Sequence, residues 1–155
     1  MTVRPIPEGF HTATCYLTVD GAAQAIEFYK AAFGATEMMR MPMPDGNLGH
    51  AEIRIGDSPI MLSDEFEAVG KRAPTTLGGA TASITLYVEN ADEVFQRAVK
   101  AGAKEVRPVE DQFYGDRCGT LEDPFGHQWT ISTHIEEVSE EEMQKRLAAM
   151  MSGHG

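Results

Sequence analysis

Disulfides, membrane-length apolar runs and basic patches are all missing from this 155-residue chain. Its two cysteines, Cys15 and Cys118, are too few for a disulfide framework, and they lack the CxxC or Cys/His spacing of a structural zinc site. Both read as ordinary, reduced core thiols. No run approaches the roughly 20 apolar residues that cross a bilayer, and Met1-Thr2-Val3-Arg4-Pro5 has no apolar core of the kind a signal peptide carries. A cytoplasmic location is the expectation. Lys and Arg total 13 against 24 Asp and Glu, a formal charge of -11. That balance repels nucleic acid and anionic membranes, so neither is an expected partner. No glycine-rich strand-to-helix loop suited to a methyl-donor cofactor is present.

What is there is a sequence written twice. Thr14 to Ala32 recurs 69 residues on as Ser83 to Ala101, so that Leu17-Thr18-Val19-Asp20 matches Leu86-Tyr87-Val88-Glu89. A weaker echo at an offset of 70 matches Glu52 and Gly56 with Glu122 and Gly126. Duplicated units that pack together leave a cleft between them, and clefts bind small molecules.

Each copy reads as βαβββ. Residues 12–19 alternate polar and apolar, the period of a half-buried strand. Asp20 then stands as an N-cap before Ala22, Ala25, Ile26, Tyr29 and Phe33 at helical spacing, and Gly34 stops the helix. Segments 36–41, 50–55 and 59–63 follow as strands, parted by Pro44-Asp45-Gly46-Asn47 and Gly56-Asp57-Ser58. Residues 65–80, rich in Gly and Pro, read as a linker. The pattern restarts at 81–88, with Asn90 capping a helix that Gly102 ends. Segments 104–109, 117–122 and 128–134 complete it, with Asp123-Pro124-Phe125-Gly126 as the last turn. The expected organisation is one α+β domain over 1–135, with modules at about 10–64 and 81–135, and a helical tail over 136–155. In the tail Ser139 and Glu142 form a capping box, and Met143, Leu147 and Met150 share one stripe.

Alternation also assigns faces. With Ala13, Cys15, Leu17, Val19, Ile84, Leu86 and Val88 under the helices, Thr14, Tyr16, Thr18, Ser83, Thr85 and Tyr87 point the other way. Trp129 and Ile131 lie toward the helices, leaving Gln128, Thr130, Ser132 and His134 on the opposite face. A face lined by hydroxyls from several strands is either a pocket for a polar ligand or a solvated sheet surface; the duplication favours the pocket. The methionines at 38, 39, 41 and 43 read as core or dimer filler. Phe113 and Tyr114 read as loop packing or an aromatic lid.

These residues resemble the vicinal oxygen chelate superfamily, which groups glyoxalases, bleomycin-resistance proteins and extradiol dioxygenases. The matching pieces are Val19-Asp20 leading to Ile26-Glu27-Phe28-Tyr29 and Phe33-Gly34-Ala35, then Leu86-Tyr87-Val88 with Ala101-Gly102-Ala103, then Asp123-Pro124-Phe125-Gly126-His127. His50 to Asp57, Met61-Leu62-Ser63-Asp64 and Gly115-Asp116-Arg117 are similar to its PhnB-like branch. The resemblance implies two βαβββ modules forming a cup-shaped mixed sheet, a homodimer, and in the metal enzymes a divalent ion held from the first and last strands of the modules. Carried onto this chain, those positions are Thr14, Ser83, Thr130 and, at an offset of 70 from Thr130, Ile60. None is a normal divalent ligand.

The leading expectation is therefore a protein that binds a small polar molecule with no cofactor and no metal, lined by Thr14, Tyr16, Glu52, Ser83, Tyr87, Thr130 and His134. The competing expectation is a lyase, isomerase or dioxygenase. It would use either a displaced divalent metal at His50, Glu52 and His134 or paired acid/base carboxylates, Glu52 and Glu122, as catalytic candidates. In a blander reading each glutamate makes a solvated or salt-bridged contact with a neighbour such as Arg54 or Arg117; a third class is a ligand-free dimerisation module. His127 reads as a hairpin cap, while His11 and His154 lie near the ends.

Overall fold

The sequence period carries directly into the architecture. A computed structural model describes residues 2–153; Met1, His154 and Gly155 lie outside the described residues. The first module runs β1 (Cys15–Val19), α1 (Ala22–Phe33), β2 (Thr36–Pro42), β3 (Leu48–Ile55) and β4 (Ser58–Asp64). A 3-10 turn at Glu67–Val69 and the single-turn α2 (Pro74–Leu77) occupy the linker. The second module runs β5 (Ser83–Tyr87), α3 (Ala91–Ala101), β6 (Lys104–Asp111), β7 (Asp116–Glu122) and β8 (Gln128–His134), and α4 (Glu140–Ser152) ends the described chain.

The strands form two separate four-stranded sheets, ordered β1-β4-β3-β2 and β5-β8-β7-β6. Both are mixed: β1 runs parallel to β4 and β5 parallel to β8, and the other pairs are antiparallel. The parallel pair is what places a helix across each sheet, because the chain must cross over before re-entering beside its first strand. Leu17, Val19, Ile53, Ile60 and Leu62 are buried under α1, and Leu121, Trp129 and Ile131 under α3.

One hydrophobic core joins the two modules on this helix side. Phe33 and Tyr29 of α1 lie against Trp129 of β8, with ring centroids 4.7 and 5.3 Å apart. Asp123, 3% exposed, knots the junction. Its carboxylate accepts from the Tyr29 hydroxyl at 2.6 Å, Trp129 Nε1 at 2.8 Å, and the backbone N–H groups of Phe125 and His127 at 2.9 and 3.0 Å. Arg97 of α3 donates to the carbonyls of Ala31 and Lys30, capping the end of α1. His127 does not merely cap its hairpin: Nε2 donates to the Thr18 carbonyl of the other module at 2.9 Å.

Helix starts show where local reading falls short. Asn90 caps α3 by accepting from Glu93 N–H, and Ser139 caps α4 through Glu142 N–H. Asp20, by contrast, is not the cap of α1. Gly21 occupies that position in the left-handed region, and Asp64 at the end of β4 accepts from the N–H groups of Gly21 and Ala22, both at 2.8 Å. Thr133, 69 residues beyond Asp64, accepts from Ala91 N–H in the second module. A neighbouring strand therefore supplies an acceptor at the start of both α1 and α3, and the duplication extends to that device.

The methionines in and just after β2 are not core, and neither is Cys15, which opens β1 and is exposed rather than packed beneath α1. Met38, Met39, Met41 and Met43 are all exposed, and β2 is an edge with two register irregularities. α4 buries none of its residues. Arg146 holds it to the body by bonding Glu136 and the Phe113 carbonyl.

Candidate functional site

The faces turned away from the helices carry the polar chemistry. On the first sheet, register aligns Tyr16 with Met61, Met61 with Glu52, and Glu52 with Met39. His50 lies two residues from Glu52 and so shares its face. Its Nδ1 is hydrogen-bonded to the Tyr16 hydroxyl at 2.9 Å, while Nε2 stands 3.9 Å from Glu52 Oε2. Lys71 from the linker places its ammonium 4.1 Å above the Tyr16 ring and 3.4 Å from Ser63 Oγ. The Glu52 side chain is 16% exposed, and its Oε2 is fully buried with no hydrogen-bond partner among the described residues. A neighbouring arginine does not neutralise it. Arg54 Nε is likewise buried and unpartnered, and Arg117 is engaged by Asp92 and Asp111.

On the second sheet, Asp116 is the centre. Its side chain is 8% exposed and accepts from the Tyr87 hydroxyl at 2.7 Å, Ser132 Oγ at 3.2 Å and His134 Nδ1 at 2.8 Å. Burial works against its charge, but the bonds from His134, Tyr87 and Ser132 outweigh that and hold the carboxyl below its ordinary range. His134 is pushed up by its bond to Asp116 and, through Nε2, by Glu137 at 3.1 Å. The bond to Asp116 also raises the Tyr87 phenol. Tyr114 is raised by its bond to Cys118 Sγ and by burial.

The expected lining residues thus fall into groups. Tyr16 and Glu52 meet around His50, and Tyr87 and His134 meet around Asp116. Thr130 bonds Thr120 across strands, Oγ1 to Oγ1, at 3.3 Å and borders a cavity of about 290 Å³ on the second sheet. Ser83 and Tyr16 line a groove of about 330 Å³ between β1, the linker and the start of β5. Thr14 stands one residue ahead of β1.

Two positional expectations need correction. The partner of Thr130 on the first sheet is Met61, not Ile60: Thr85 pairs with Thr130 as Tyr16 pairs with Met61, and Ile60 is buried under α1. Nor are Glu52 and Glu122 mates. Met61 faces Glu52 while Thr130 faces Thr120, and Arg54 pairs with Pro59 where Glu122 pairs with Gln128. The hairpin loop after β7 is longer than that after β3, which shifts the offset between the two strands that flank it. Glu122 borders a different cavity, beside Pro74 and Gly79, so the paired-carboxylate arrangement loses its basis.

The donor sets do not fit a divalent ion. Among the described residues no three His, Cys, Asp or Glu side chains come together as ligands. The Asp116–His134–Glu137 chain runs through the two nitrogens of one imidazole rather than converging on a point. Both nitrogens of His134 are engaged by carboxylates, and it lies on the second sheet while His50 and Glu52 lie on the first.

Asp116, Ser132 and Lys71 were absent from the expected lining. Asp116 and Ser132 were findable, since they lie in phase with Cys118 and Thr130 on the polar face. Lys71 comes from an irregular linker, where no period assigns direction.

The chain matches the Glyoxalase/Bleomycin resistance protein/Dioxygenase superfamily over residues 10–131. It is 45% identical over 141 residues to an uncharacterized protein of Mycobacterium tuberculosis, an alignment covering 89% of this chain and 83% of that protein. Protein PA1353 from Pseudomonas aeruginosa superposes with a TM-score of 0.66 at 22% identity, over 82% of this chain and 100% of its own. A PhnB protein from Bacillus cereus does so with a TM-score of 0.61 at 16% identity, over 79% and 99%. At those identities the two structures speak for fold alone. No helix among the described residues is long and apolar enough to cross a membrane.

Proposed function

The chain belongs to the Glyoxalase/Bleomycin resistance protein/Dioxygenase superfamily, and within it we propose a protein that binds a small polar molecule on its open sheet faces without a divalent metal. The observation that carries this reading is Glu52 Oε2, buried and unpartnered beside the Tyr16–His50 pair. An orphaned buried acceptor costs roughly 1–3 kcal/mol, more when charged. A site retains such a group when something outside the chain supplies the missing donor. An N–H or O–H of a ligand entering between His50 Nε2 and Glu52 Oε2 satisfies it. Met39 and Met61 flank Glu52 on the neighbouring strands, and unbranched side chains of this kind yield readily to an incoming molecule.

The proposed working form is a homodimer in the cytoplasm. The exposed Met38, Met41 and Met43 along the β2 edge support a second copy of the chain covering that strand. Sedimentation velocity is expected to give twice the mass of one chain, and a monomer at micromolar concentration overturns that part.

Thermal-shift screening of the wild type and Glu52→Gln against a small-molecule library tests the ligand reading. Compounds that raise the melting temperature of the wild type and lose their effect in the variant are expected. A flat response from the wild type, or hits indifferent to Glu52, overturns it. Calorimetric titration with nickel, zinc and manganese is expected to show no stoichiometric uptake; tight uptake abolished in Glu52→Gln returns the metal enzyme to first place.

A further inference from the structure

We propose that the second sheet carries a site for a small zwitterion of free amino-acid size, its carboxylate on Arg107 and its ammonium on Glu110. The inference rests on the reading of the open faces as ligand-binding and names the ligand class for the second of them.

Strand β6 carries a defect in its register. Arg107 pairs with Thr120 and Glu110 with Cys118, so three steps along β6 match two along β7. Pro108 and Val109 together stand opposite Gly119, a β-bulge. In an unbroken strand residues three apart point to opposite faces. The extra residue cancels that, and Arg107 and Glu110 both join Thr120 and Cys118 on the open face. Three sequence choices make the bulge possible. Pro108 has no N–H to leave unpaired. Val109 turns inward and packs on the hydrophobic core. Gly119 makes room for it: a Cβ there would lie 2.9 Å from Val109 Cγ2 and 2.9 Å from Phe95 Cε2.

The charged pair so placed borders the cavity of about 290 Å³, whose other polar walls are Gln112, Tyr114, Thr120 and Thr130. Arg107 and Glu110 do not neutralise one another, and among the described residues neither forms an ion pair. One free cation and one free anion on the wall of a single polar cavity suit a ligand carrying both charges. A guanidinium takes a carboxylate through two parallel N–H bonds, and a carboxylate takes an ammonium. The volume falls at the lower edge of the roughly 300–1,000 Å³ of sites for drug-sized ligands, which sets the size class at an amino acid. The neutral polar groups around the pair serve a backbone-like core rather than a large apolar body.

The test is nitrogen-15 NMR of the full chain, titrated with each free L-amino acid and then with the N-acetyl and C-amide derivatives of the tightest binder. Expected are shifts at Gln112, Gly119 and Thr120, and affinity falling about tenfold or more when either charge of the ligand is blocked. Arg107→Gln and Glu110→Gln are expected to lose affinity to the same degree, with Arg107→Lys between. Should a variant fail to fold, the blocked derivatives on the wild type decide the matter. Derivatives that bind as well as the parent overturn the inference, as do shifts confined to the first sheet or no response to any amino acid. A ligand that binds through Glu52 while no amino acid moves the second-sheet cavity refutes this inference and leaves the proposed function standing.

Discussion

Replacing Glu52 with methionine is expected to stabilise the protein while weakening its ligand binding. The carboxylate sits between Met39 and Met61 on adjacent strands, so a methionine at 52 extends an existing row of similar volume. It removes a buried oxygen that has no partner among the described residues, relieving a cost of about 1–3 kcal/mol. For a chain of this length each kcal/mol moves the melting temperature by about 2–4 °C, giving a rise of about 2–12 °C. The same change deletes the acceptor offered to the ligand. One charge-assisted hydrogen bond lost corresponds to about a tenfold to hundredfold weaker affinity. Differential scanning calorimetry of the free proteins and isothermal titration with a compound from the library screen give the two numbers. A Glu52→Met protein that melts below the wild type makes Glu52 a structural residue. One that binds equally well removes it from the site.

Further outcomes follow from individual contacts. Asp123→Ala strands the Tyr29 hydroxyl and Trp129 Nε1 in the shared core and is expected to cost about 3–5 kcal/mol, read from the urea midpoint; an unchanged midpoint would show that the modules do not depend on this knot. Gly119→Ala drives a methyl into Phe95 and Val109, an overpacking worth about 1–3 kcal/mol of lost stability by the same assay. For the His134–Asp116 pair, His134 is raised above 6.5 and Asp116 lowered below 3.8. The histidine's contribution is therefore full below 6.5 and lost as pH climbs through its raised value, and the aspartate's is full above 3.8 and lost as pH falls through its lowered value. The stability gap between wild type and His134→Gln should be widest between those limits; a gap that widens above pH 8 contradicts the assignment.

The duplication made the fold legible, because local period and turn residues recur in the same order and both modules share the offset of 69 through their helices. Cues confined to a few neighbouring residues, such as the Asn90 cap, translate directly. Those that depend on distant strands do not. Asp64 caps a helix that begins 42 residues earlier, and no local pattern marks that role. The site was legible as a face but not as a set of partners. Alternation put Tyr16, Tyr87, Thr130 and His134 on the polar side, yet the offset of 70, taken from the turn glycines, holds for neither strand pair. β4 and β8 keep the offset of 69, and the longer second hairpin leaves β3 and β7 one residue short of it, so the offset of 70 mispaired Glu52 with Glu122 and Thr130 with Ile60. The β6 bulge was missed for a related reason: period-two reading has no place for an extra residue, although Pro108 inside a strand signals one.

Nitrogen-15 NMR of the wild-type chain, screened against a small-molecule library with a chelator present throughout, separates metal-free ligand binding from metal-dependent binding. At least one compound is expected to shift His50, Glu52 and Tyr16 with no metal added. Compounds that bind only after a divalent ion is supplied, or whose shifts avoid both open sheet faces, would contradict the proposed function.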